Sequence, residues 1–365
     1  MVQKAIDIEI KDNYRVVAIS DVHGHYNVLE NLLEKVNLKD EDYLVIIGDF
    51  INKGVDSYNT LEIIKKLSTR KNTIILKGNH EMNIERVMSS GEKFASIEDL
   101  LHNEYYETLI HSMMRELNVD FLDFDKIDDL YIFLHNKRKV DIKFISDLPI
   151  MASIDDYIFV HGGYDHEFSI NEDEKKYLKY DNFNEHGRAS EKNVVVGHWP
   201  TCNLRKDQLS NIPYINYNKK FIFIDGGIGV HETGEMNAFI IEKKNGRKTY
   251  NTIQQNNFSK IKIIKEHTFE KEEILYINYP DYDFEVIEKG DRMSVCLHKT
   301  SQMKFTVFNT LLEERNGEIS LRINYLNNFL NLKNGDEVDL VQKFEDCVLV
   351  KHKDEFGWIL REQVI

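Results

Sequence analysis

The stretch VVAISDVHGHYNVLE, residues 16–30, runs four apolar residues into Ser20. It then places Asp21, His23 and His25 within five positions around Gly24. An apolar run of this kind suits a strand buried on both faces. A polar turn is enough to end such a strand, so one acid and two imidazoles do not make a site by themselves. The rest of the chain repeats the arrangement. YLVIIGDF (43–50), NTIILKGNHE (72–81), YIFVHGG (157–163), NVVVGH (193–198) and FIFIDGG (221–227) are short β-branched runs that each reach a glycine and a metal-type or phosphate-type residue. Between the first three lie helical patterns. VLENLLEKV (28–36) puts Leu29, Leu32, Leu33 and Val36 on one face, and YNTLEIIKKL (58–67) does the same with Leu61, Ile64 and Leu67. Strand, helix, strand implies βαβ units and at least a partly parallel sheet, hence an α/β fold.

In an open α/β sheet, ligands bind at the carboxyl ends of the strands. Here those ends carry Asp21 and His23, Asp49, Asn79 and His80, His161, His198, and Asp225. One histidine at a strand end is uninformative; six such ends together point to a metal centre. Asp, Asn and imidazole without thiolate suit Mn2+, Fe or Zn2+ better than the oxygen cages of Ca2+ or Mg2+. Six ligands are too many for one catalytic zinc. They fit two ions about 3.5–4 Å apart that share a carboxylate. Gly24, Gly48, Gly54, Gly78, Gly162 and Gly197 sit at the strand-to-loop turns, where backbone must come close to such a centre.

The motifs Asp21–Gly24 (Asp-x-His-Gly), Gly48–Gly54 (Gly-Asp-x-x-x-x-Gly), Gly78–Glu81 (Gly-Asn-His-Glu), His161–Gly163 and Gly197–His198 stand in the order seen in calcineurin-like metallophosphoesterases. More narrowly, the set resembles the phosphoprotein-phosphatase group and its bacterial relatives, which include symmetrical diadenosine tetraphosphate hydrolases. The resemblance spans about residues 14–242. It implies an α/β layered sandwich with helices outside. It also implies two divalent metal ions, Mn2+ ahead of Fe or Zn, with Asp21, His23 and Asp49 on one ion and Asp49, Asn79, His161 and His198 on the other. His80 takes the role of general acid for the leaving oxygen, in keeping with an unligated imidazole beside cations.

The sequence departs from the family in one place. Where the family reads Asp-Arg-Gly after the bridging carboxylate, this chain has Asn52-Lys53-Gly54. Lysine offers a mobile point charge in place of a bidentate guanidinium. Lys53 is therefore expected at the phosphate, and Asn52 beside His80 without a charge. Arg188 is the candidate for a second phosphate-binding arginine. His25 has no family role. His231 and Glu232 fit either the cleft or an exposed loop, and Tyr105 and Tyr106 fit either packing or base stacking.

Three functions follow, in this order. The first is a serine/threonine phosphoprotein phosphatase using metal-activated hydroxide with His80 as acid. The second is a hydrolase of diadenosine tetraphosphate or another nucleotide or RNA-end phosphate. The third is a catalytically weak protein that binds a phosphorylated partner.

Residues 1–250 are expected to form the catalytic domain, with a helical elaboration over about 85–145, and 256–365 a small β-rich domain. There short alternating stretches such as MKFTVFN and DCVLVKH follow an Asn-rich boundary, and DEFGWILREQV resembles the last strands of SH3-like barrels. That domain is a candidate surface for a protein partner. The formal charge of -15 disfavours general binding to nucleic-acid backbone or to anionic membrane. Three widely spaced cysteines and the lack of an apolar span or leader give the expectation of a reduced, cytoplasmic protein.

Overall fold

A computed structural model describes residues 4–10, 13–90, 107–164, 173–206, 208–270, 274–315 and 317–364. The chain divides into two compact units. Met1–Thr201, Asn211–Val230 and Gly234–Asn256 make the first; Cys202–Ser210, His231–Thr233 and Asn257–Ile365 make the second.

The first unit is a sandwich of two sheets. One holds β2 (Tyr14–Ile19), β3 (Tyr43–Ile47), β4 (Thr73–Leu76), β10 (Met236–Lys244) and β11 (Arg247–Gln255) in the order β11-β10-β2-β3-β4. The other holds β1 (Ala5–Ile8), β5 (Met151–Ile154), β6 (Tyr157–Val160), β7 (Asn193–Val196), β8 (Tyr214–Asn216) and β9 (Phe221–Phe223) in the order β1-β5-β6-β7-β9-β8. As the βαβ pattern requires, β2, β3 and β4 are parallel, joined by α1 (Tyr26–Val36) and α2 (Ser57–Ser68). In the second sheet β6, β7 and β9 are also parallel.

Period-2 alternation explains why the apolar runs are continuous. On β2, Val16 and Ala18 pack between the sheets with Ile154, Phe159, Val195 and Ile222, while Val17 and Ile19 pack under the helices. The helical layer comprises α1, α2, α3 (Asn79–Ser90), α4 (Leu109–Leu117), α5 (Ile127–Lys137) and α6 (Lys139–Ser146). It buries Leu29, Leu32, Leu61 and Ile64 together with Ile110, Met113, Leu130 and Ile145. A fully buried side chain of this size stabilises the fold by roughly 1.5–3 kcal/mol. Described residues in the expected elaboration are largely helical; Tyr105 and Tyr106 lie outside the described residues. Two short helices, α7 (Lys175–Leu178) and α8 (Phe183–His186), occupy the polar stretch before β7. None of the described helices is long and apolar enough to cross a membrane.

The second unit is almost all β. It has a five-stranded sheet built from residues 283–321, a four-stranded sheet built from 259–262 and 337–360, and a two-stranded ribbon pairing Tyr276–Ile277 with Tyr325–Leu326. Trp358 is fully buried there, stacks on Tyr325 and donates its indole N–H to Leu326 O at 2.8 Å. Cys202–Ser210 also belong to this unit, which no pattern in the sequence marks. Asn278 Nδ2 holds them by donating to Cys202 O (3.2 Å) and Arg205 O (2.7 Å), and Leu209 packs against its core.

Candidate active site

Six strand ends converge as the alternation pattern requires. Beyond β2 and β3 the two chains stay paired, with Asp21 N donating to Gly48 O, His23 N to Asp49 O and Gly24 N to Phe50 O. This ladder forces backbone into the left-handed region at Asp21 (φ 52°), His23 (44°) and Asp49 (50°), and Asn52 (66°), Lys53 (68°) and His198 (66°) share it. Non-glycine residues there cost about 1–3 kcal/mol each and persist where surrounding contacts over-determine them, often at functional sites.

The loops also approach too closely for side chains at several glycines, Gly54 and Gly78 among them. A Cβ on Gly54 would lie 1.7 Å from His23 O and 2.7 Å from His25 Nδ1, and one on Gly78 would lie 2.2 Å from Asp49 Oδ1. Gly54→Ala is accordingly expected to destabilise the first unit by on the order of 3 kcal/mol. An unchanged urea midpoint would show that the two loops separate freely.

Glu81, quoted in the sequence but given no role there, fastens the next layer. Its fully buried carboxylate accepts Asp49 N and Gly78 N at 2.8 Å through Oε2, and Phe50 N (2.9 Å) and Ile51 N (3.3 Å) through Oε1. Burial, with the charge of Asp49 adding to it, pushes this carboxyl up to about 7.

Around this frame, His23, Asp49 and His80 bring donor atoms within 4.8 Å of one another, and so do Asp49, His161 and His198. Asp49 is common to both groups. Asp21 Oδ1 lies 3.8 Å from His23 Nε2, and Asp21 Oδ2 accepts His198 N at 3.0 Å. His161 Nδ1 donates to Ile47 O (2.8 Å), which directs Nε2 into the cluster, 3.1 Å from both Asp49 Oδ2 and Asn79 Oδ1; against the cost of burial, the charges of Asp49 and Asp21 push this imidazole up to about 10. His198 Nε2 pairs with Asp181 Oδ1 at 3.0 Å.

The inner end of the Asn79 amide faces His198 Nδ1 (3.0 Å), His161 Nε2 (3.1 Å), Asp49 Oδ2 (3.2 Å) and the carbonyl oxygen of Leu178 (3.3 Å). Turning the amide would meet them with N–H groups. A divalent cation meets them with the oxygen kept inward, as the donor types favour. Four carboxylates, on Asp21, Asp49, Glu81 and Asp225, are each at most 2% exposed in this small volume. Burial pushes Asp21 up to about 6. Burial would also raise Asp49, but His161, His80 and His23 hold it well below the usual carboxylate range. Buried negative charge at this density is several kcal/mol unfavourable per group unless cations offset it, so the residues fit a divalent metal pair.

Lys53 is in the cluster, with Nζ 3.5 Å from His23 Nε2. Asn52 is beside His80, with Nδ2 3.0 Å from His80 Nδ1. Burial, reinforced by the nearby cationic Lys53, holds His80 down at about 3 against the opposing charge of Asp49. His25 is buried with Nδ1 3.3 Å from Val22 O and belongs to neither donor group. Arg188 stands exposed beyond α8 and makes none of the cluster's hydrogen bonds among the described residues. The same polar segment brings Asp181 to the cluster, beside His198. His231 and Glu232 group with the second unit.

The family model for calcineurin-like phosphoesterases matches residues 14–217. The chain belongs to this family. The family is one of metal-dependent phosphoesterases, and the donor groups described above are a candidate metal site of that kind. A symmetrical bis(5'-nucleosyl)-tetraphosphatase of Buchnera aphidicola subsp. Acyrthosiphon pisum (strain Tuc7) is 38% identical over 96 residues, 26% of this chain and 32% of that protein. The matched part is thus about a third of the length of that relative. Among solved structures, a candidate diadenosine tetraphosphatase aligns over 68% of this chain and 98% of its own at 17% identity and a TM-score of 0.44. The cold-active protein-tyrosine phosphatase of a Shewanella species aligns over 68% and 82% at 17% identity and a TM-score of 0.42.

Proposed function

We propose that this phosphoesterase hydrolyses a phosphoanhydride of a nucleotide, of the dinucleoside polyphosphate type. Asp21, His23, Asp49, Asn79, His161 and His198 hold two divalent cations, Mn2+ ahead of Fe or Zn. When bound, such a pair supplies a deprotonated water near neutral pH and charge for an in-line displacement. Lys53 adds a positive charge where phosphoryl oxygens come to lie.

The observation that carries the substrate class is the bond between Asn52 and His80. Leu109 N–H donates to Asn52 Oδ1 at 2.8 Å. A backbone N–H is never an acceptor, so the other end of the amide, facing His80 Nδ1 at 3.0 Å, is the NH2. Nδ1 must then carry a lone pair, and the hydrogen of His80 sits on Nε2. Adding a second proton would set N–H against N–H. His80 therefore offers the leaving oxygen a hydrogen bond from a neutral ring, in place of a readily transferred proton.

A serine or threonine alkoxide is a strong base and needs a proton to depart; a nucleoside phosphate departs as a weakly basic anion. This supports the nucleotide reading over the phosphoprotein reading placed first on sequence alone. The printed names of the curated relatives support it too.

With Mn2+ present, kcat/KM for diadenosine tetraphosphate is expected to exceed that for a phosphoserine peptide by at least about tenfold, in line with general-acid contributions. A ratio of one or below would sink the proposal. Asn52→Asp keeps the acceptor for Leu109 N and turns a second acceptor toward His80 Nδ1. It is expected to move that ratio toward the phosphopeptide by roughly tenfold or more. An unchanged ratio would mean that the amide does not govern the acid.

A further inference from the structure

Five of the six strand ends enter the donor set described above. The sixth, Asp225, does not. β9 delivers it two residues past Phe223, next to β7 in the sheet and so beside the strand that carries His198. It is fully buried, and its Oδ1 accepts Gly227 N–H at 2.7 Å. Its Oδ2 is also buried and has no hydrogen-bond partner among the described residues. No lysine or arginine forms an ion pair with it among those residues. The charged groups that act on it are Asp21, Lys53 and His161, all at the candidate centre.

The turn that holds Asp225 cannot easily relax away. A Cβ on Gly226 would lie 2.0 Å from Glu235 O, and Gly227 is left-handed at φ 79°. A buried carboxylate with one oxygen unpartnered, held beside another carboxylate, is unfavourable unless positive charge faces it. Substituting a neutral side chain would be the simple remedy if stability alone were at stake.

We infer that Asp225 is a positioning residue of the metal centre: it ligates neither ion, and its charge tightens the divalent cation shared by Asp21 and His23. The inference rests on the metal-centre reading and is independent of the substrate class. Outer carboxylates of this kind are worth 10–100-fold in metal affinity.

The test titrates Mn2+ alone into the full-length, metal-stripped protein and its Asp225→Asn variant by calorimetry, with melting of both metal-free proteins. The expected result is roughly 10–100-fold weaker binding of one Mn2+ equivalent, with a metal-free Tm that is unchanged or higher because an unpaired buried charge has gone. Mn2+ affinity within twofold of the parent overturns the inference. So does a lower metal-free Tm, which would assign Asp225 to the fold. A second measurement uses the parent protein and needs no variant. Mn2+ is expected to slow amide hydrogen exchange across residues 224–228, and unchanged exchange there overturns the inference. If the parent binds no Mn2+ at all, the metal-centre reading itself fails, a result distinct from parental affinity in the variant.

Discussion

Asp49→Asn is expected to lower metal-dependent phosphoester hydrolysis by at least about a thousandfold, since a metal pair contributes several kcal/mol of charge stabilisation and each 1.36 kcal/mol is tenfold. The substitution is nearly isosteric. Asp49 Oδ1 accepts His80 N at 2.9 Å, and an amide oxygen does so equally well. The change falls on Oδ2, 3.1 Å from His161 Nε2 and 3.2 Å from the Asn79 amide, where an NH2 would be turned into the cluster. Because Asp49 is the one residue common to both donor groups, both cations should be weakened. The check is kcat/KM on diadenosine tetraphosphate with Mn2+, read beside bound metal and circular dichroism. More than a tenth of the parental activity, on a folded variant, would remove Asp49 from the chemistry.

The second large effect is on stability. Glu81→Ala strips the acceptor from four backbone donors, those of Asp49, Phe50, Ile51 and Gly78, in a place that solvent does not reach. Each orphaned buried donor costs about 1–3 kcal/mol, so the loss is expected to be on the order of 4 kcal/mol. Glu81→Gln keeps one carbonyl but sets an NH2 against two N–H groups, and should lose about half as much. Urea unfolding of the three proteins without metal measures this. A loss below about 1 kcal/mol for the alanine variant would show that the Asp49 loop finds other partners.

The contrast between Asp49 and Glu81 shows what a sequence carries. That Asp21, His23, Asp49, Asn79, His161 and His198 would meet at one sheet edge was readable because each follows a buried strand, and alternation with a turn glycine leaves such a residue only that edge to occupy. The two-layer arrangement was readable for the same reason, since runs such as Val16–Ile19 need cover on both faces. Glu81 was quoted and passed over because its four partners come from loops 30 residues away and from its own turn. The partner that fixes Asn52 is Leu109, 57 residues distant, and Asp181 meets His198 across 17. Spacing along a chain is silent about such pairs. Arg188 lies on a polar, irregular segment, where no periodicity anchors a family position. The second unit was legible as β structure, but not its claim on residues 202–210.

Leu109 is the first residue of α4, and the opening N–H groups of a helix have no partner within it. The side chain that supplies one here is Asn52, and that same bond dictates which nitrogen of His80 bears hydrogen. Capping a peripheral helix and choosing an imidazole tautomer are thus one event. Whatever displaces the start of α4 releases the amide to rotate, and the proton inventory of the site changes with no substitution among the residues that touch substrate. If the proposed chemistry holds, selectivity for the leaving group in this chain depends on a helix outside the catalytic sheet.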